Sequence, residues 1–299
     1  MKKLLYVTSR NIKLFFCDKG MFFTSLITPL ILLVLYATFL SNVYRDSFSQ
    51  ALPDFLSIDE ELLDSTVAAQ LLSSLLSVCC ITVAFCSNML CVQDKSNATR
   101  QDLLISPIKT STLSLGYFFA TLFTTLIICF ITLAAGLVYL WSVGWYLAVK
   151  DVFLIILDVV LLVLLGTSLS SIVAFFLSTQ GQISAVGAVI SAGYGFICGA
   201  YMPMSQFSEG LRRVLSFLPF TYGTSLIRNH TMDPSFDEMI SQGFPTEAVK
   251  ALRDTVDCNI YFFDEPISVN TMYLVVSLSV ILFISAYVLL NVLLIKRKK

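Results

Sequence analysis

Few residues in this 299-residue chain are equipped for chemistry. It holds one histidine, His230, and one acid, Asp158, inside an otherwise apolar run. A charge at bilayer depth is costly, so such a residue is either satisfied (protonated, paired with a polar group, or snorkelling to water) or it handles an ion. Asp158 lies about two turns from the end of its run, so both readings stay open. The eight cysteines, Cys17, Cys79, Cys80, Cys86, Cys91, Cys129, Cys198 and Cys258, form no CxxC pair and join no histidine pair. A zinc site is therefore not expected, and most of these thiols read as small hydrophobes. The phosphate-cradling pattern GxxxxGK[ST] is absent, as are GxSxG and HExxH. No catalytic residue is assigned. Any energetic work needs energy from a partner or an ion gradient.

The polar stretch with the most definite pattern is Gln93-Asp94-Lys95-Ser96-Asn97-Ala98-Thr99-Arg100-Gln101-Asp102-Leu103-Leu104-Ile105-Ser106-Pro107-Ile108. It suits one short helix. Thr99 is expected to cap its start, with Asp102 near the positive end of the helix dipole. Pro107 stops it, and Leu103 and Leu104 give it an apolar edge. The plain reading is a capped connector. The sharper one is a stiff lever that passes force from a cytosolic partner to the helices on either side.

Composition dictates what must hold these residues. The chain is 57% hydrophobic and 13% charged, with mean hydropathy +0.82, against about 45–50% and about 25% for soluble domains. That excludes a soluble enzyme, a disordered regulator and a secreted disulfide scaffold. A hydrocarbon core of about 30 Å needs about 20 apolar residues per helix. Six runs are expected to span, at residues 21–40, 67–90, 115–141, 152–177, 183–201 and 271–295. They define a single all-α integral membrane domain over 1–299. Residues 1–20 are expected to form an interfacial helix with Leu5, Ile12 and Phe16 on one stripe and its basic side toward anionic lipid. Residues 91–114 form the loop that carries the lever, and 202–270 a long exterior loop.

Charge sets the orientation. With the N-terminus inside, the cytoplasmic side holds 12 basic residues and three acids, and the outside holds seven basic residues and 16 acids, as the positive-inside rule demands. Both termini are then cytoplasmic. Within the exterior loop, Leu211–Ile227 is apolar and interrupted by Pro219 and Gly223. Two half-helices dipping into the outer leaflet, or a surface helix, would fit. The acidic stretch Met232–Pro266 reads as a solvated face or as an attractor of cations. Cys258 is expected to be the one exterior thiol, open only to an intermolecular disulfide. The sequon Asn229-His230-Thr231 has meaning only in a secretory pathway. Gly195 and Gly199 form GxxxG, either packing within the chain or meeting a second copy.

The connector is similar to the coupling-helix signature of ABC-2 type transporter permeases. Thr99, Leu103, Leu104, Ser106 and Pro107 match in register. Ala98 stands where that family has Gly, and Gln101 where it has Glu. A second stretch resembles the same family: Gly193-Tyr194-Gly195-Phe196-Ile197-Cys198-Gly199-Ala200-Tyr201-Met202-Pro203, then Leu218-Pro219-Phe220-Thr221-Tyr222 before Arg228. The N-terminal stretch running through Asp18-Lys19 into a span with Ser25, Thr28 and Pro29 also resembles it.

The resemblance implies one permease half of an ABC exporter, paired with a second half as a homodimer or heterodimer and with cytosolic ABC ATPase subunits. ATP and magnesium would sit on those partners, with no cofactor on this chain and no nucleic acid involved. Thr99, Arg100, Gln101, Asp102, Leu103 and Leu104 would couple to the ATPase. Re-entrant exterior helices would cap the exit. Phe85, Tyr194, Phe196 and Met202 would face a substrate pathway formed by the second and fifth spans. The cargo would be a hydrophobic drug, an antimicrobial peptide or a lipid-linked molecule leaving across a bacterial cell membrane. Alternatives are extrusion of sodium or another ion through Asp158, export of a lipid-linked polysaccharide, and a non-transporting membrane scaffold.

Overall fold

The computed structural model describes residues 2–51, 59–106, 108–201, 203–263 and 265–297. Pro107 and Met202 fall outside them. Helix α1 (Lys2–Cys17) is followed by α2 (Lys19–Leu35), which Asp18 caps by accepting from the Met21 amide at 3.1 Å. A π-helical turn, Tyr36–Leu40, carries α2 into α3 (Ser41–Ala51). Then come α4 (Glu60–Ser96), α5 (Thr99–Ile105), α6 (Thr110–Val143), α7 (Val149–Phe176) and α8 (Gln180–Ile197). A 3₁₀ turn, α9 (Glu209–Leu215), α10 (Pro219–Ser241), α11 (Thr246–Thr255) and a small antiparallel pair, β1 (Tyr261–Phe262) and β2 (Glu265–Pro266), precede α12 (Val269–Arg297).

Among the described residues, five stretches are long and apolar enough to cross a membrane: Lys19–Asp46, Glu60–Ser96, Thr110–Val143, Val149–Phe176 and Val269–Val292. The helices outrun the apolar runs by several residues because their ends are polar. Asp59 and Glu60–Glu61 begin α4 well before the apolar core of its sequence, where acids meet the positive helix end. At 18 residues, α8 measures about 27 Å. It starts with a Thr179–Gln182 capping box.

Helix α4 is the axis of the bundle, with α2, α6, α7, α8 and α10 packed around it. Several of the polar side chains on this enclosed helix are satisfied within the bundle. Ser77 and Thr82 donate to the carbonyls of Ser73 and Val78, each at 2.8 Å, and Asn88 donates to Ser170 on α7 at 2.6 Å. Lipid supplies no hydrophobic drive between helices, so close contact does the work. At Gly166 a Cβ would sit 2.9 Å from the Cys80 carbonyl oxygen, which lets α7 lie directly on the α4 backbone.

The two ends of the bundle differ. At one end lie α1, α5, the start of α6 and the end of α12, where Tyr287 donates to the Ser114 carbonyl at 3.0 Å. At the other lie α3, α9, α10, α11 and the β pair, with Ser65 donating to the Gly144 carbonyl at 2.9 Å. The chain therefore begins and finishes at the α5 end. Helix α1 buries Val7, Thr8, Asn11 and Phe15, mainly against α6, while Leu5 is 66% exposed. The expected Leu5–Phe16 stripe is thus its outward face. Arg10, assigned to the lipid-facing basic side, instead donates to Asp94 at 2.8 Å.

The apolar stretch before Arg228 breaks once. Pro219 opens α10 at a position that needs no amide donor, but the helix then runs unbroken through Gly223 and Pro234 to Ser241. Gly223 does not interrupt it, because the glycine lies against Leu162 of α7.

Candidate coupling site and transport groove

The α5 helix forms over Thr99–Ile105, as expected, but its cap differs. Ala98, not Thr99, is the N-cap residue. Its carbonyl accepts from the Gln101 and Asp102 amides at 2.7 and 3.2 Å, and its φ is +60° with no side-chain cap. That backbone conformation is the one glycine adopts freely. Asp102 lies in the first turn, as its charge favours.

The two leucines divide the work. Leu103 packs against Val7, Leu113 and Tyr117, joining α5 to α1 and α6. Leu104 is 38% exposed and its neighbour Ile105 84% exposed. Gln101 and Asp102 are also exposed, whereas Thr99 and Arg100 are half-buried. The helix thus has an anchored side and an apolar outer tip.

Two further contacts, not read from the sequence, fix this end. Asp94 accepts from both Arg10 and Tyr117, tying α1, α4 and α6 together. Lys95 reaches across to the last carbonyls of α7, donating to Ala174, Phe175 and Leu177 at 2.6, 3.1 and 3.1 Å. An ammonium there completes the helix end chemically and electrostatically.

Beside this end, α2, α4 and α8 leave an open groove of about 630 Å³. Its lining includes Met21, Thr24, Cys86, Met89, Ile183 and Gly187. The aromatic residues assigned to a substrate pathway sit elsewhere. Phe85 is 2% exposed and packs into the core. Tyr194 is also buried, its ring against Phe220 and its hydroxyl 3.3 Å from Thr224 Oγ1. Phe196 is half exposed and rests against Tyr201.

At the far end, Asp158 is fully buried and fully partnered. Its Oδ2 lies 2.6 Å from His230 Nδ1, and its Oδ1 accepts from the Tyr273 hydroxyl at 2.6 Å. The three residues come from α7, α10 and α12. Burial lowers the His230 pKa, but the Asp158 hydrogen bond and charge together outweigh it, so the net shift is upward. Arg228, two residues earlier on α10, is buried as well. It donates to the Cys198 carbonyl at 2.7 Å and approaches Asp257 at 3.4 Å, while Asp257 accepts from the Met204 amide.

Three expectations about this region change. Gly195 and Gly199 do not form a helix-packing face. Gly195 lies under the Tyr201 ring, and Gly199 (φ +65°) is the left-handed residue beyond the end of α8. Cys258 is buried, and burial pushes its thiol up to about 12, so an intermolecular disulfide has no accessible sulfur here. Asn229 of the sequon is buried too, donating to the Ser225 and Cys258 carbonyls at 2.8 Å. The acids of Met232–Pro266 are only partly solvated: Asp233 pairs with Arg253 of α11. Among the described residues no group of three His, Cys, Asp or Glu side chains is placed to hold a metal ion.

Comparison with known proteins gives one match and one blank. No curated protein matches this sequence. Residues 54–290 match the family described as ABC-2 family transporter protein, a region that begins just before α4 and ends near the end of α12. With most of its length inside that match and five helices able to cross a membrane, the chain belongs to the ABC-2 transporter family, as a multi-pass membrane component of an ABC transporter.

Proposed function

We propose that this chain is one permease half of an ATP-driven exporter in the cell membrane, with both termini in the cytoplasm. ATP and magnesium belong to separate cytosolic ATPase subunits. One observation carries this reading: α5 offers an exposed apolar tip, Leu104–Ile105, on a helix whose opposite side is anchored through Leu103. An apolar tip at a water-facing end is a docking feature, and the anchored side gives a push somewhere to go. It would move α4 and α6 directly, and Lys95 would relay it to the α7–α8 turn. Helix α8 would be the sixth crossing. The groove between α2, α4 and α8 would then change shape on the face where a second half pairs, admitting a hydrophobic or amphipathic cargo such as a drug, an antimicrobial peptide or a lipid-linked molecule.

The test is Leu104→Asp in a permease co-expressed with its ATPase subunits. Membrane insertion should persist, while ATPase subunits no longer co-purify and cargo efflux falls to background. Undiminished efflux would refute the lever. A second reading, ion extrusion, draws support from the buried Asp158 carboxylate. Under that reading Asp158→Asn abolishes transport at every pH, whereas a drug exporter continues to work.

A further inference from the structure

As Asp94 does at the other end with Arg10 and Tyr117, Asp158 brings three long helices together through a buried acid, here with His230 and Tyr273. Both carboxylate oxygens are used, each at 2.6 Å, by groups 72 and 115 residues away in the chain. The His230 and Tyr273 rings lie 6.0 Å apart, both turned onto the same carboxylate. The imidazole keeps a narrow opening at 9% exposure, and one turn further along α10 stands Asp233, paired with Arg253 of α11. The charged groups facing His230 are Asp158 and Asp151 from α7 and Asp233 from its own helix. From α11, Arg253 is directed to Asp233 and Asn229. From α12 the facing group is the neutral Tyr273 hydroxyl.

We propose that Asp158, His230 and Tyr273 form a proton-binding site, entered from the end of the bundle opposite α5, whose protonated state clamps α10 and α12 onto α7. With the imidazole protonated, the cluster is a net-neutral ion pair, the arrangement an apolar interior tolerates. When the proton leaves, the carboxylate keeps its charge among apolar helices with two neutral donors and no counter-ion, and the clamp loosens. Stronger acid protonates Asp158 and breaks the pair from the other side. The site reaches beyond itself through α10. Arg228, two residues before His230, holds the Cys198 carbonyl at the end of α8, so loosening α10 loosens the grip on α8.

The protein supplies its own probe, because His230 is its sole histidine. In the full chain labelled with ¹³C,¹⁵N-histidine and held in lipid nanodiscs, the imidazole spectrum between pH 5 and 9 contains one residue. The expected result is a single titration with its midpoint above 6.5, the ordinary value. In Asp158→Asn the midpoint should fall below that of the wild type, since Asp233 and Asp151 alone then oppose burial. A wild-type imidazole that stays neutral throughout, or titrates below 6.5, overturns the proposal without any variant. The clamp is read from thermal unfolding. A raised folded-state pKa gives stability that is complete below 6.5 and lost as pH rises through the folded midpoint. The wild-type melting temperature should therefore fall across that interval, and the His230→Gln profile should be flat there. Parallel wild-type and His230→Gln profiles would refute the clamp.

Discussion

Lys95, the last charged residue of α4, closes the far end of α7: its Nζ lies 2.6 Å from the Ala174 carbonyl and 3.1 Å from those of Phe175 and Leu177. Its aliphatic stem brings the ammonium within 5.9 Å of the Phe175 ring. This contact joins the end of α4 to the turn that begins α8, bypassing α6. Replacing Lys95 with Met keeps the length of the side chain and removes its donors. Hydrogen bonds to a charged group contribute about 1.5–3 kcal/mol, so Lys95→Met should lower stability by about 2 kcal/mol. It should also leave ATPase docking intact while reducing efflux per ATP hydrolysed. Equal losses in docking and efflux would place Lys95 in the docking surface instead.

The start of α5 makes a prediction of opposite sign. Ala98 holds φ +60°, where the Cβ of an L-residue costs about 1–2 kcal/mol and glycine costs almost nothing. Glycine loses more chain entropy on folding, which offsets part of the gain. Ala98→Gly should therefore stabilise the loop by about 1 kcal/mol. The measurement is slower proteolysis within residues 96–106 and a higher melting temperature. Faster cleavage would show that the left-handed turn is not the resting geometry of this loop.

The sequence carried some of this and not the rest, for identifiable reasons. Asp158 stood out because one acid in an apolar run is visible without any neighbour. Its partners did not, because His230 and Tyr273 lie on other helices and no local pattern links residues 72 and 115 positions apart. The short helix α5 is legible from Leu103, Leu104 and the following Ser-Pro, since stops are local. Its first residue, Thr99, agrees with expectation, but the cap is Ala98: Thr is a good cap by type, whereas a left-handed Ala leaves no trace in composition. The aromatic residues Phe85 and Tyr194 looked like cargo contacts only while the facing of α4 and α8 was unknown. On a helix enclosed by five others, Phe85 falls on a packed face, and the groove takes Cys86 and Met89 from the same helix.

Thiol reactivity separates two cysteines that look alike in sequence. Cys17 is exposed at the end of α1, and Cys258 is buried with its pKa raised to about 12. At pH 8 that leaves about one Cys258 in ten thousand as the reactive thiolate. A maleimide given to the folded protein in detergent should label Cys17 within minutes and leave Cys258 unmodified until the chain is denatured. Rapid labelling of Cys258 in the native protein would mean that α10 and α11 separate readily.

Gly199 tests whether the end of the bundle opposite α5 depends on the turn after α8. Its φ of +65° ends the helix, with the Ala200 amide returning to the Gly195 carbonyl at 2.9 Å. A methyl group there meets two penalties at once. It occupies a left-handed backbone at a cost of about 1–2 kcal/mol. It would also stand 2.5 Å from the Asp257 carboxylate and 3.2 Å from the Arg228 guanidinium. Those two buried charges are held in place by the Cys198 carbonyl and the Met204 amide, so neither yields easily, and an uncompensated buried charge costs about 3–5 kcal/mol. Gly199→Ala should therefore destabilise by more than the backbone penalty alone, by about 3 kcal/mol. Asp257→Asn in the same background keeps the crowded atom and leaves the buried Arg228 guanidinium without its carboxylate, so it should add to the loss. A Gly199→Ala protein that melts within a degree of the wild type would mean that the α8 end is not pinned by Arg228, and that α8 is free to move without α10.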